Sequence, residues 1–523
     1  MFLNTILAAV LVAALLAAAA CAEGPAADRS SAGEAAAGRW SPEEAWEWYN
    51  KQPWLVGFNF LPSTAVNDTE MWQKETFDPE TIDRELGWAE KIGYNSCRVF
   101  LQYIVWKADP EGFKKRFEQF LALADRHGIT AMPIFFDDCA FAGKEPYPGK
   151  QDDPVPGVHN SGWVPSPGGK IIADKAAWAD LEKYVKTTVG AFGRDRRVVI
   201  WDLYNEPSTG QSLPLVEAAF RWAREAKPMQ PLTTSIFGGG KLPERIVELS
   251  DIINIHNYND LGNVKAEIAG RRRLGRPIVV SEWMCRGQNS RFEPHLPYFR
   301  QERIGCWNWG LVAGRTQTYY PWGSPQGAPE PTVWHHDVLR KDGTPFDPAE
   351  ILAIGLETGA LEMRELVPTA EPMPVAWHYA SDPRPGPDWA RPDFNDSTWR
   401  QGAAPFGTPD PAHARKPNTP WKAPDLWLRR TVELPDVKGG ELFLRVYHDE
   451  DVEVYLNGVL AGKAAGFTVG YVLIPVTPEG RAAAKEGKNV LAVHCHQSVG
   501  GQYIDVGIMQ CERRSGRGGA RSE

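Results

Sequence analysis

RVVIWDLYNEP, residues 197–207, is the stretch on which the fold turns. Its first seven residues are nearly all apolar and rich in β-branched and aromatic side chains. That is the pattern of a short strand buried on both faces, as in a parallel sheet. It closes on Asn205, Glu206 and Pro207, polar groups at the end of a buried strand. Outward from it the same unit recurs, as WLVGFNF (54–60), NSCRVFL (95–101) and ITAMPIFF (129–136) before it, and PLTTSIF (231–237), DIINIH (251–256), PIVVSE (277–282) and IGCWNW (304–309) after it. Amphipathic helical patterns lie between, at 78–93 and 111–128, both closing on Gly, and at 175–190, 213–226, 262–273 and 347–358. Strand and helix alternating eight times predict an α/β fold with a parallel sheet, most simply a (β/α)8 TIM barrel over residues 40–360. A doubly wound open sheet is the alternative. No GxGxxG follows the first strand, and GGGK at 238–241 lacks the spacing of a phosphate loop, so nothing points to nucleotide binding.

The chain has 523 residues, enough for two to four domains, with 43% hydrophobic and 24% charged residues, as in an ordinary globular protein. Its net charge of -9 provides no basic surface for nucleic acid. The 21 Trp residues are many; their flat apolar faces suit sugar rings, and large cores account for part of the excess. Cysteines 97, 139, 285, 306, 495 and 511 form no CxxC pair, so no zinc framework is evident; buried thiols are expected, with room for one disulfide in an exported protein.

Polar residues collect where the barrel strands end. Glu206 ends the fourth strand and Glu282, in VVSEW, the seventh. A charge there is costly unless paired or functional. Two carboxyls on one barrel face suit the breaking of a glycosidic bond, where one protonates the leaving oxygen and the other attacks or stabilises the anomeric carbon. Each taken alone reads equally as a helix-terminal charge or half of an ion pair. Two long loops, 137–174 and 310–346, leave the same face and bring Asp137, Asp138, His159, Trp163 and Trp322 within reach of a substrate. His335-His336-Asp337, and His494 with His496, invite a metal reading but have no third ligand nearby; no metal and no cofactor are expected.

Asn-Glu-Pro at 205–207 and Ser-Glu-Trp at 281–283 resemble the clan A retaining glycoside hydrolases, in the general pattern of family 5, the cellulase, mannanase and xylanase group. The resemblance covers roughly residues 50–355. It implies that Glu206 is the acid/base, Glu282 the nucleophile, and Asn205 a partner of the sugar 2-hydroxyl. It further implies that Arg98 supports the nucleophile, that His256 and Tyr258 match a His-x-Tyr on the sixth strand, and that Trp309 floors the sugar site, with Trp307 as rival. Read without it, Arg98 is a strand-end ion-pair residue, His256 a core histidine and Trp309 a cap on the barrel core. The implied activity is hydrolysis of β-glycosidic bonds in plant- or algal-type poly- or oligosaccharides by double displacement. The rivals are an exo-acting β-galactosidase-like enzyme or transglycosylase of the same clan, and a carbohydrate-binding surface protein without turnover.

At the start, the apolar run LNTILAAVLVAALLAAAA (3–20) reads as a secretory signal, residues 1–22. Ala20-Cys21-Ala22 fits cleavage to a free secreted or periplasmic protein, whereas Ala18-Ala19-Ala20-Cys21 resembles a lipoprotein box with Cys21 as lipid anchor. Residues 23–39 read as a linker. After a second linker at 361–375, short alternating strands such as LWLRRTVEL (426–434) and DVEVYLNGVLAG (451–462) predict an all-β jelly-roll sandwich at 376–511, with a disordered tail at 512–523. PDFNDSTWRQGAAPFG and GKNVLAVHCHQ resemble galactose-binding-like modules. Such a module is expected here to brace the barrel and its cleft rather than bind sugar.

Overall fold

The computed structural model describes residues 38–409, 416–449 and 451–514. The signal, the Cys21 anchor and the end of the C-terminal tail lie outside them. No helix of the described residues is long and apolar enough to cross a membrane.

All eight expected strands form: β1 (Val56–Phe60), β2 (Ser96–Phe100), β3 (Thr130–Asp137), β4 (Trp201–Asn205), β5 (Leu232–Thr233), β6 (Ile253–His256), β7 (Ile278–Trp283) and β8 (Gly305–Trp309). They run parallel in the ring order β5-β4-β3-β2-β1-β8-β7-β6. The ring closes between β5 and β6, where Ser235 bridges Asn254 and the Ile236 N–H donates to the Asn254 carbonyl at 2.9 Å. Closure excludes the open-sheet alternative. Side chains from strands and surrounding helices fill one continuous apolar core.

The helices follow their end signals. Pro79–Ile92 starts on the Asp78 cap and stops at Gly93, whose φ of +107° is left-handed. Three helices of eight or more residues were not foreseen: Pro42–Asn50, Leu242–Leu249 and Phe292–Gln301. The first caps the bottom of the barrel, where Tyr49 Oη donates to the Arg303 carbonyl (2.8 Å) and accepts from the Gly305 N–H (2.7 Å).

The last barrel helix, Pro348–Thr358, brings the chain back to the strands' N-terminal end. There Thr358 and Ala360 crowd Gly93. The chain therefore leaves the barrel opposite the face that bears Glu206 and Glu282. Residues 361–367, expected as linker, are instead strand β9 (Leu361–Val367), paired antiparallel with Tyr503–Arg513. The same pairing takes Glu512 and Arg513 out of the expected tail: a sheet edge with free backbone donors and acceptors recruits both segments.

Two mainly antiparallel sheets then pack over a second apolar core. One centres on Asp425–Leu434 and Gly487–His496, the other on Glu441–Asp449 and Tyr503–Arg513. Asn457 and Gly458, both at positive φ (+52° and +86°), make the tight turn between Asp451–Leu456 and Val459–Ala464. The six described cysteines are all free, so the one disulfide allowed for does not form among them.

Candidate active site

Arg98 is the pivot of the site. It lies mid-strand in β2, fully buried, and its five N–H donors need acceptors there. Nη1 donates to Glu282 Oε1 at 2.6 Å and to Asn59 Oδ1 at 2.9 Å. Nη2 donates to Asp202 Oδ2 at 2.8 Å and Asn205 Oδ1 at 2.7 Å, and Nε to the same Asp202 oxygen at 3.1 Å. Three strands, β1, β4 and β7, are thus tied to a guanidinium carried by β2, and a buried charge is tolerated because it is paired and fully hydrogen-bonded. Glu282 receives a second donor, Tyr258 Oη, at 2.7 Å on Oε2.

Glu206 sits where β4 turns sharply away, at φ +43°, an uncommon conformation for a side-chain-bearing residue. Its N–H donates to Ser235 Oγ (3.2 Å). Its Oε1 is 2.8 Å from His256 Nδ1, and its Oε2 accepts from the Cys139 thiol at 3.4 Å. Burial raises the Glu206 pKa above the ordinary carboxylate range. Burial also drives His256 down to about 3, so its ring is neutral at pH 7. Its Nε2 lies 3.0 Å from Ser281 Oγ. One oxygen of Glu206 and one of Glu282 lie within 4.8 Å of each other, with a ring nitrogen of His256. Among the described residues this is the group of three potential metal-ligand side chains whose atoms converge.

The two carboxyls face a cavity of about 310 Å³. Trp309 forms part of its wall, with its ring 5.9 Å from Phe100 and 6.2 Å from Trp163. Trp307 is instead buried in the barrel core, its Nε1 donating to Ser96 Oγ at 3.1 Å. All seven residues singled out for the site, Arg98, Asn205, Glu206, His256, Tyr258, Glu282 and Trp309, thus gather on one face. The loop residues His159, Trp163 and Trp322 join the same wall.

Asp137 and Asp138, the weaker sugar-binding candidates, both bond to the protein itself. Asp137 accepts from Asn205 Nδ2 (2.8 Å), the Cys139 N–H (3.0 Å) and Trp163 Nε1 (2.7 Å). Asp138 is taken by Tyr204 Oη, the Ser208 N–H and Ser212 Oγ, and anchors the loop after β4. His494 and His496 both bond one oxygen of Asp425, at 2.8 and 2.9 Å. Among the described residues none of the sandwich lines the cavity, and the chain enters the sandwich at the other end of the barrel.

Sequence reasoning missed Asn59, Asp202, Cys139 and Asn160. For Asp202 a signal existed: a carboxylate inside a strand buried on both faces needs a cation, and Arg98 is the matching charge inside another.

No family model and no curated protein matches the chain. Among solved structures it is similar to a GH5_18 protein from Streptomyces cattleya in complex with GlcNAc, at 12% identity over 58% of this chain and 79% of that one, TM-score 0.41. It is also similar to the exo-β-1,4-mannosidase Op5Man5 from Opitutaceae bacterium strain TAV5, at 15% identity over 58% and 60% of the two chains, TM-score 0.40. A third is the endo-1,4-β-D-mannanase from Thermotoga petrophila RKU-1, at 13% identity over 58% and 99%, TM-score 0.38.

Proposed function

We propose that this protein is an exported retaining glycoside hydrolase acting on β-linked poly- or oligosaccharides. The observation that carries the reading is that one oxygen of Glu206 and one of Glu282 lie within 4.8 Å of each other in the lining of a cavity with aromatic walls. Retaining enzymes hold their two carboxyls about 5–5.5 Å apart, whereas inverting ones leave about 6.5–9.5 Å for a water. The resemblance to clan A, residue for residue, supports the same roles.

Glu282, held by Arg98 and Tyr258, attacks the anomeric carbon. As the C–O bond to the leaving group breaks, Glu206 gives its proton to that oxygen. Burial, which favours the neutral acid, suits this step. Once Glu282 is esterified, Glu206 is the carboxylate that takes a proton from water. Water then attacks the same carbon, breaks the ester and releases the sugar with its original anomeric configuration. Neutral His256 keeps its hydrogen bond in both halves: it donates to the Glu206 carboxylate, or accepts when the near oxygen is protonated. Asn205, fixed between Arg98 and Asp137, is set to meet the 2-hydroxyl. The sandwich is an accessory module outside the chemistry.

The test is sugar release from xylan, mannan, β-glucans, galactans and aryl β-glycosides by wild type, Glu206→Ala and Glu282→Gly. Both variants are expected to lose at least about a thousandfold in kcat. Azide should restore turnover in Glu282→Gly with a glycosyl azide of inverted configuration. Polysaccharide binding that is equal in wild type and Glu282→Gly, with no cleavage by either, would favour the binding-protein rival.

A further inference from the structure

We infer that the enzyme acts from chain ends, and that the blind side of its cavity takes the neutral sugar at the non-reducing terminus. This rests on the hydrolytic reading above.

The direction of the substrate follows from the chemistry. Glu206 protonates the leaving oxygen, so the leaving part of the chain lies on the β4–β5 side and the glycone on the opposite side, toward β8 and β1. The two sides are built differently. On the Glu206 side, Phe141 after β3 and Phe237 after β5 line the cavity and are 54% and 38% exposed. On the glycone side, Phe100 and Trp163 are 3% and 2% exposed and meet edge-to-face at 4.9 Å.

Behind them the two long loops are laced together. The Asn160 N–H donates to the Thr316 carbonyl (2.8 Å), the Gly157 N–H to Gln317 Oε1 (2.9 Å), and the Gly327 N–H to the Pro156 carbonyl (2.7 Å). Gln317 Nε2 returns a bond to the Val155 carbonyl at 2.8 Å. Asn67, after β1, adds a bond from its Nδ2 to the Gly162 carbonyl at 2.9 Å. A polymer cannot thread through this wall without breaking these bonds together. The space of about 310 Å³ lies at the small end for ligand sites and holds one or two sugar rings.

The wall also carries unspent acceptors. Asn160 lines the cavity, is 2% exposed, and its Oδ1 has no hydrogen-bond partner. A buried acceptor of this kind is costly until a donor arrives. His159 and His336 each commit Nδ1 to a main-chain carbonyl, of Tyr320 and Met284, both at 2.7 Å. Each ring therefore offers Nε2 as an acceptor. Acceptors call for hydroxyl donors. Among the described residues no Lys or Arg lines the cavity to pair with a uronic acid or a sulfate. The terminal residue that fits is a neutral sugar with free hydroxyls.

The test uses neutral β-1,4- and β-1,3-linked gluco-, manno-, xylo- and galacto-oligosaccharides labelled at the reducing end with 2-aminobenzamide. The expected result is a labelled product shortened by one sugar per step, with no early loss of viscosity in the parent polysaccharide. A 4-O-methyl group on the non-reducing terminal sugar should slow cleavage by about ten- to two-hundredfold, because the wall leaves it no room. Asn160→Gly, which tolerates the φ of +50° at this position, should raise KM by about tenfold with little change in kcat. Labelled fragments several sugars shorter from the first turnovers, blocked ends cleaved as fast as free ones, or an unmoved KM in Asn160→Gly would overturn the inference. Such outcomes leave hydrolysis itself intact. No turnover of oligosaccharides or aryl glycosides at all removes the hydrolytic reading and this inference with it.

Discussion

Cys139 shows how a single side chain outside any motif tunes the proposed acid. Its thiol donates to Glu206 Oε2, and a donor favours the charged form. Removing it in Cys139→Ala should raise the Glu206 pKa further. The alkaline limb of kcat/KM then moves to higher pH, by less than about one unit because a thiol is a weak donor. A limb that stays put or moves to lower pH would refute the assignment. Glu85 offers a second residue-scale test. It is fully buried and tied by both oxygens to Ser63 in the loop after β1; burial lifts its pKa to about 7 from 4.5. A carboxyl with a raised folded pKa adds stability that is fully present below the unfolded value and is lost as pH rises through the folded one. Wild type should therefore lose stability relative to Glu85→Gln between pH 4.5 and 7, by on the order of 3 kcal/mol at pH 8. Urea unfolding at pH 4.5 and pH 8 measures the difference.

At the scale of elements, β1 is packed too closely for any side chain at its second position. A Cβ on Gly57 would lie 2.1 Å from the Ser96 carbonyl oxygen and 2.6 Å from Trp307 Cδ1. Backbone cannot yield as a flexible side chain does, so Gly57→Ala should cost about 3 kcal/mol. Gly270, exposed inside the helix Leu261–Arg272, has open space where a Cβ would go. There Ala should stabilise by up to about 1 kcal/mol, by helix propensity. Thermal melts of the pair should move in opposite directions; a Gly57→Ala melt equal to wild type would contradict the packing. Element ends also mark the limit of reading from pattern. The strand-flanking signals located β1 to β8 within a few residues. The helix Leu242–Leu249 was missed because LPERIVEL is short and carries Pro near its start, so too few turns exist to show a period.

For the whole molecule, two separate apolar cores joined at the end of the barrel remote from the cavity predict two unfolding units. Leu444→Ala, in the centre of the sandwich, should lower one calorimetric transition, at a cost of about 2–5 kcal/mol. It should leave kcat/KM on a soluble substrate unchanged, since distant sites act independently. A single transition, or a parallel fall in kcat/KM, would mean that sandwich and barrel work as one body.

Local pattern was enough for the parts that depend on neighbours along the chain. Eight buried strands, their alternation with helices, the carboxyls at the ends of β4 and β7, and the change to alternating strands after the barrel all follow from the period and cost of burial. Arg98, Glu206 and Glu282 stand out because charges on buried strands demand a reason. What tertiary structure alone decided depends on residues far apart in sequence. Closure of the ring brought Asn59 and Asp202 onto the Arg98 guanidinium. The pairing of β9 with Tyr503–Arg513 turned a supposed linker and part of a tail into sheet. Hydrogen bonds between residues 155–160 and 316–327 joined the two long loops. Such contacts leave no period in the chain, because each is made by two segments whose separation is set by everything folded between them.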